Sequence, residues 1–281
     1  MASTKSVLTR LTERETTILL RELPRRYHTH ANDVLLSAFG RVMARWTGSD
    51  DVLIDLEGHG REEIFDDVDL TRTVGWFTTM FPVALDLRDQ EWGRTLKSVK
   101  EQLRAIPHRG LSYGALGLDH VHPEVSFNYL GQFDWPTGRL YRGVGGLDLD
   151  ASPQHTRYHL IDLVGKVEHG YLEFSWFYSA NVHSQGTVQA LADALLDALR
   201  EIIRAPGTGG HTPSDFPLAR LTQAQVDRIA GPDVRDIYPL TPIQAGMVYH
   251  DVSEKDEGTY FQQTTFVLGG VTDPPRLAMA W

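Results

Sequence analysis

Not one cysteine occurs in the 281 residues. That absence excludes a disulfide framework, a thiolate nucleophile and Cys-ligated zinc. It fits a reducing compartment, so a cytoplasmic protein is expected. Nowhere does a run approach the ~20 apolar residues that a membrane span requires. The opening stretch, MASTKSVLTRLTERE, lacks the apolar core of a signal peptide, and no membrane partner is expected. Basic charge is short as well: 27 Lys and Arg stand against 37 Asp and Glu, a formal charge of −10. Binding a phosphate backbone needs a basic footprint, so nucleic acid is not expected as a partner either. No internal repeat and no low-complexity segment is visible.

What is present is ordinary globular composition, 41% hydrophobic and 23% charged, with 14 Pro and 25 Gly. It is enough chain for one large domain or two smaller ones. Thr12 to Glu15 reads as a capping box that opens a helix carrying Ile18, Leu19 and Leu23, with Pro24 as its stop. A second helix is predicted over 31–46, from Val34, Leu35, Phe39, Val42, Met43 and Trp46 at helical spacing. Between them lie His28 and His30, two residues apart. No third ligand is recognisable nearby, so solvent-exposed histidines are expected and no metal site is assigned.

Residues 51–82 organise the rest. Val52, Ile54 and Leu56 alternate with Asp51, Leu53 and Asp55, the period of a half-buried strand. The strand runs into Glu57-Gly58-His59-Gly60-Arg61-Glu62, where two glycines around a histidine predict a sharp turn. Glu57 then stands at the end of a rigid element, a usual place for a working side chain. Thr71 to Thr78, rich in aromatic and small residues, suits the wall of a pocket. The plainer reading is a charged turn between two core strands. On it Arg61 and Glu62 pair at the surface, His59 bonds to backbone, and Arg72 faces solvent.

A further strand is predicted from Met80 to Leu87, with Pro82 suited to a sheet edge. A helix over 92–106 comes next, closed by Pro107. Residues 124–130 alternate as a strand, with Val125, Phe127 and Tyr129 on one side and Ser126, Asn128 and Leu130 on the other. Two long strands meet around Glu168-His169-Gly170, and a helix over 187–204 buries Val188, Leu191, Leu195, Leu199 and Ile202. The stretch APGTGGHTPSDF at 205–216 forbids a regular element. The expected division is therefore 1–215, a linker at 216–232 holding a short helix, and a second unit at 233–281. In that unit Thr241-Pro242 is a helix start. Fewer than fifty residues cannot bury a core unaided, so the second unit reads as truncated.

LEGHGRE at 56–62 followed by RTVGWFT at 72–78 resembles the epimerization domains of nonribosomal peptide synthetases, and PHRGLSYG at 107–114 and FNYLGQFD at 127–134 agree. The resemblance covers about 1–215 and implies the C-terminal half of such a domain. Residues 233–281, with IYPLTPIQAGMVYH, resemble the opening of a condensation domain. The implied fold is a chloramphenicol-acetyltransferase-like α/β sandwich, of which this is the C-terminal lobe. The implied reaction is L-to-D inversion at the α-carbon of an aminoacyl or peptidyl thioester.

The resemblance implies no directly bound cofactor and a substrate that rides on the 4'-phosphopantetheine of a peptidyl carrier protein domain. Further implied partners are the N-terminal epimerization lobe, whose HHxxxDG histidine is missing here, and the adjacent synthetase domains. Inversion is most simply done by two acid/base groups facing each other across the substrate, most effective when burial draws their pKa toward neutrality. Glu57 is the expected acid/base, with Asn128 and Tyr129 as catalytic partners able to donate to an enolate oxygen. His59, Arg72, Trp76 and Gln132 are the expected lining residues. In the family's PxxGxGYG pattern, Ser112 replaces the glycine before the tyrosine. If that position needs a positive φ, serine strains the loop. His155 and His159 are expected in or beside a structural strand.

Overall fold

The structure is a computed structural model that describes residues 2–117, 121–132, 155–207, 209–231, 233–253 and 263–280. Met1–Asp236 and Ile237–Trp281 form two compact units. Among the described residues no helix is long and apolar enough to cross a membrane.

The first unit is built on six strands: β1 (Thr4–Arg10), β2 (Asp51–Gly58), β3 (Thr79–Asp86), β4 (Val125–Gln132), β5 (Ile161–Glu168) and β6 (Tyr171–Ser179). They lie in the order β1-β6-β5-β4-β2-β3. β4 runs parallel to both β2 and β5, and the remaining pairs are antiparallel. Alternation carries one row of apolar side chains across the whole sheet. Ile54, Leu56, Val83, Phe127, Leu163 and Trp176 all face one side and are buried.

That side is covered by helices α3 (Ala31–Thr47), α4 (Trp92–Arg104) and α5 (Gln185–Arg204). Phe39 of α3 packs on Phe127 and Trp176, with ring centroids 5.6 and 5.7 Å apart. The predicted stripe of α5 is buried in full. Of the α3 residues expected inside, Trp46 lies at the helix end and is exposed. The other sheet face carries Leu53, Asp55 and Glu57 of β2 beside Ser126 and Asn128 of β4 and Asp162 of β5.

Several elements differ from expectation for definable reasons. Thr12 does open a capping box with Glu15, but Pro24 does not stop the helix. A π-helical turn over Ile18–Glu22 succeeds α1 (Glu13–Thr17), and Pro24 falls in the first turn of α2 (Leu23–Tyr27), where its missing N–H costs nothing. The chain then reverses at His28 in the left-handed region. β1 was not anticipated, because its edge position buries only Val7 and leaves a weak alternation.

β5 and β6 form a tight hairpin through His169 and Gly170, both at positive φ, as a two-residue primed turn requires. The stretch expected as a linker packs on the first unit. Phe216 and Val226 are buried there, α6 (Gln223–Ile229) includes Val226, and Lys97 bonds Asp227 at 2.8 Å. Lys100, itself buried, grips both oxygens of Asp215 at 2.7 Å. The second unit holds α7 (Pro242–Ser253), which starts at Pro242 with Thr241 and Gln244 closing a reciprocal cap, and α8 (Pro274–Ala280).

Candidate functional site

Glu57 is the penultimate residue of β2, and alternation turns it to the face away from the helices. Asp55 and Ser126 are paired across the parallel junction of β2 and β4, so the next residues on that face are Glu57 and Asn128. The Asn128 amide Nδ2 donates to Glu57 Oε2. Burial raises the Glu57 carboxyl above its ordinary range. Among the described residues no Lys or Arg pairs with it. The arrangement is a half-buried carboxyl with no cation to hold it ionised and one amide to orient it. A carboxyl whose proton affinity burial raises is suited to proton transfer.

After Glu57 the backbone turns as the glycines predict. Gly60 lies at φ 66, and a Cβ there would stand 1.6 Å from the Phe77 carbonyl oxygen. Only glycine lets the bend meet the 72–78 stretch this closely. Arg61 completes the junction by donating to the carbonyls of Leu70 and Gly75, with its guanidinium 4.3 Å from the Phe77 ring centroid. The two segments that read as separate motifs are therefore one clamp. This corrects the plainer reading, in which Arg61 pairs with Glu62. Glu62 instead meets His59 Nε2 at 3.2 Å and Arg109 Nε at 3.5 Å.

The sequence-predicted site residues are not all brought together. Tyr129 stands on the helix side of β4, its ring beside Gly165 and packed on the core, and burial raises its hydroxyl pKa. It is on the opposite sheet face from Glu57, the side that alternation dictates for the neighbour of Asn128. His59 accepts from the Arg61 N–H at Nδ1, at 3.0 Å, and faces Glu62 with its other nitrogen, so its ring is occupied by the turn. Arg72 is exposed, and Trp76 is 88% exposed, so the indole is not what buries Glu57. Gln132 is exposed at the end of β4. Asn128 spends one of its two amide hydrogens on Glu57, and among the described residues the other has no acceptor.

In the 107–114 stretch the positive φ values fall at His108, Arg109 and Gly110 and not at Ser112, so serine there carries no backbone strain. Gly110 is the position that needs glycine, since a Cβ would meet the Phe81 ring at 2.2 Å. An open depression of about 550 Å³ lies beside the bend, lined by His59, Arg61, Glu62, His108 and Arg109. A larger cleft of about 1330 Å³, between the ends of α2, α4 and α6, holds none of the predicted site residues.

Sequence reasoning missed the groups beneath Glu57. His159 is buried and reaches Asp55 Oδ2 with Nε2 at 2.8 Å and Asp162 Oδ1 with Nδ1 at 3.0 Å. Ser126 Oγ donates to the same Asp162 oxygen at 2.6 Å, and Arg157 pairs with the other. One signal was present: adjacent strands each place one polar residue on the same face at the same level.

Comparison with known proteins bears on this geometry. The condensation-domain family profile matches residues 2–214. Two linear gramicidin synthase proteins of Brevibacillus parabrevis are similar over nearly the whole chain. One is 42% identical over 288 residues, covering 95% of this chain and 4% of that protein. The other is 39% identical over 303 residues, covering 100% of this chain and 6% of that protein. The chain thus spans a small fraction of the curated relatives it matches. Among solved structures, the epimerization domain from the third module of tyrocidine synthetase B is 35% identical with a TM-score of 0.63. That match covers 72% of this chain and 48% of the other.

Proposed function

The chain belongs to the condensation-domain family of the nonribosomal peptide synthetases, and on that premise we propose that it is part of an amino-acid epimerase. Its substrate is an aminoacyl or peptidyl thioester carried on the phosphopantetheine arm of a carrier domain. Glu57 is one of two acid/base groups. As a carboxylate it takes the α-proton, leaving an enolate whose negative charge sits on the thioester oxygen. As a carboxylic acid it returns a proton when the partner group has done the removing. Asn128 orients the carboxyl, and its remaining N–H is available to the enolate oxygen.

His59 and His159 have both ring nitrogens engaged, so the opposing group is proposed to come from the other half of the domain. The second unit is proposed as the opening of a following condensation domain. Support comes from the two gramicidin synthase alignments, which span 95% and 100% of this chain.

The observation that carries the reading is the Glu57–Asn128 pair, with burial raising the carboxyl pKa. The likeness to a solved epimerization domain supports it. The test supplies the complementary half and reads the chirality of the amino acid hydrolysed from a carrier-bound L-thioester. D-product should accumulate, and Glu57→Gln should slow it by about 10²-fold or more. A product that stays L with wild-type protein overturns the reading.

A second reading is a non-catalytic surface that docks a carrier or a neighbouring synthetase domain. It is favoured by the exposure of Val74 (99%) and Trp76 (88%) on the clamped segment. On that reading Trp76→Ala abolishes carrier binding while Glu57→Gln changes nothing.

A further inference from the structure

We infer that His159 is the positioning residue for the Glu57–Asn128 pair, its charged imidazole stapling β2 to β5 across β4. The need for a staple comes from the sheet itself. Where β2 meets β4 the parallel ladder holds only Asp55 with Ser126 and Leu56 with Phe127. The side chains that must meet, Glu57 and Asn128, lie just beyond it. Each is laddered on its other side, Glu57 to Met80 of β3 and Asn128 to Val164 of β5, but no ladder pair joins the two to each other.

His159 supplies the missing constraint. It enters from the segment before β5 and is buried, with one nitrogen on Asp55 of β2 and the other on Asp162 of β5. An ionised carboxylate can only accept, so both ring nitrogens must donate and the imidazole is a cation. The charges balance locally, with His159 and Arg157 against Asp55 and Asp162. Ser126 of β4 completes the shell through Asp162, and the Tyr158 ring stands edge-on to the imidazole with centroids 4.7 Å apart. Arg157 extends the same network outward, to the Phe177 carbonyl on β6 at 3.0 Å and the Thr4 hydroxyl on β1 at 3.4 Å. The network thus ties β1, β6, β5, β4 and β2 on the face that carries Glu57.

The titration direction agrees. Burial pulls the imidazole pKa down, but the bonds and charges of Asp162 and Asp55 outweigh it, and the net shift is upward. With no lone pair left on either nitrogen, His159 does not act as a base. Its effect on Glu57 passes through the strand.

The catalytic consequence rests on the proposed role of Glu57, but the structural claim does not, and NMR on the full chain separates the two. Imidazole ¹⁵N shifts should show His159 protonated at both nitrogens at neutral pH. In His159→Gln the Asn128 side-chain amide signal should lose its hydrogen-bonded shift, and the Glu57 carboxyl midpoint should rise. Arg104→Ala breaks a different, part-buried pair, with Asp33, and should leave both signals in place. If His159→Gln does not fold, the wild-type protein still decides. The Asn128 amide should then change with the His159 midpoint as pH is raised. A neutral imidazole at pH 7 overturns the proposal. So does an Asn128 amide that ignores both the substitution and the titration of His159.

Discussion

Glu57 and Asn128 form a pair in which two opposing influences meet. Burial favours the protonated carboxyl, whereas an amide donor favours the carboxylate. Removing the donor should therefore raise the midpoint further. Asn128→Ala is expected to lift the Glu57 pKa, because the donor that favours the carboxylate is lost. A ¹³C titration of the glutamate carboxyls checks this, and a downward move contradicts it.

The position of Glu57 was legible in the sequence from a strand running into a glycine bend. So were the sides of β4, since Val125, Phe127 and Tyr129 alternate with Ser126 and Asn128. The motif nevertheless drew Asn128 and Tyr129 into one site, although strand neighbours face opposite ways. The structure obeys the alternation. Asp55 and His159 were not legible as a pair, because 104 residues separate them and neither stands in a recognisable motif.

Among the secondary-structure elements, two devices hold the site. The first is the clamp of the 72–78 stretch on the bend after β2. Gly60→Ala places a methyl group against the Phe77 carbonyl at a positive φ and should cost about 2 kcal/mol or more. Arg61→Ala removes the two carbonyl anchors and should open the 62–78 segment to proteolysis while the sheet stays folded. Limited digestion with mapped cleavage sites tests both.

The second device is the His159 network, and its pH window comes from the signs. His159 has its folded pKa raised above 6.5, so its contribution is complete below that value and is lost as pH rises through the folded pKa. Asp162 has its folded pKa below 3.8. Burial opposes that shift, but His159, Ser126 and Arg157 prevail, and its contribution is lost as pH falls through the folded pKa. The network should stabilise most between these limits, and His159→Gln should flatten the alkaline decline in the denaturation midpoint. Strong periodicity made α3, α4 and α5 readable in advance. β1 and the π-helical turn were not, because an edge strand buries little and the turn depends on how the helix packs.

Across the molecule, hydrophobic periodicity marked single strands and helices, whereas the α/β sandwich that unites them came from the family resemblance. Residues 205–216 hold three Gly and two Pro, a pattern that marks a break in regular structure without saying whether the next stretch packs back. Here it does, through Phe216, Val226 and the Lys97–Asp227 bridge. Phe216→Ala should destabilise the first unit by about 3–5 kcal/mol, a loss read from denaturant unfolding of the full chain. An unchanged midpoint would return residues 216–232 to the status of a linker.

The proposed chemistry turns on a proton moving at the α-carbon through Glu57. It is tested most directly by deuterium wash-in. Wild-type protein and Glu57→Gln are each given the complementary half and an aminoacyl thioester on its carrier in D₂O, and the α-position is read by mass spectrometry. The wild type should incorporate deuterium, and the variant should do so about 10²-fold more slowly or not at all. Equal incorporation by both, or none by either, would contradict the assignment.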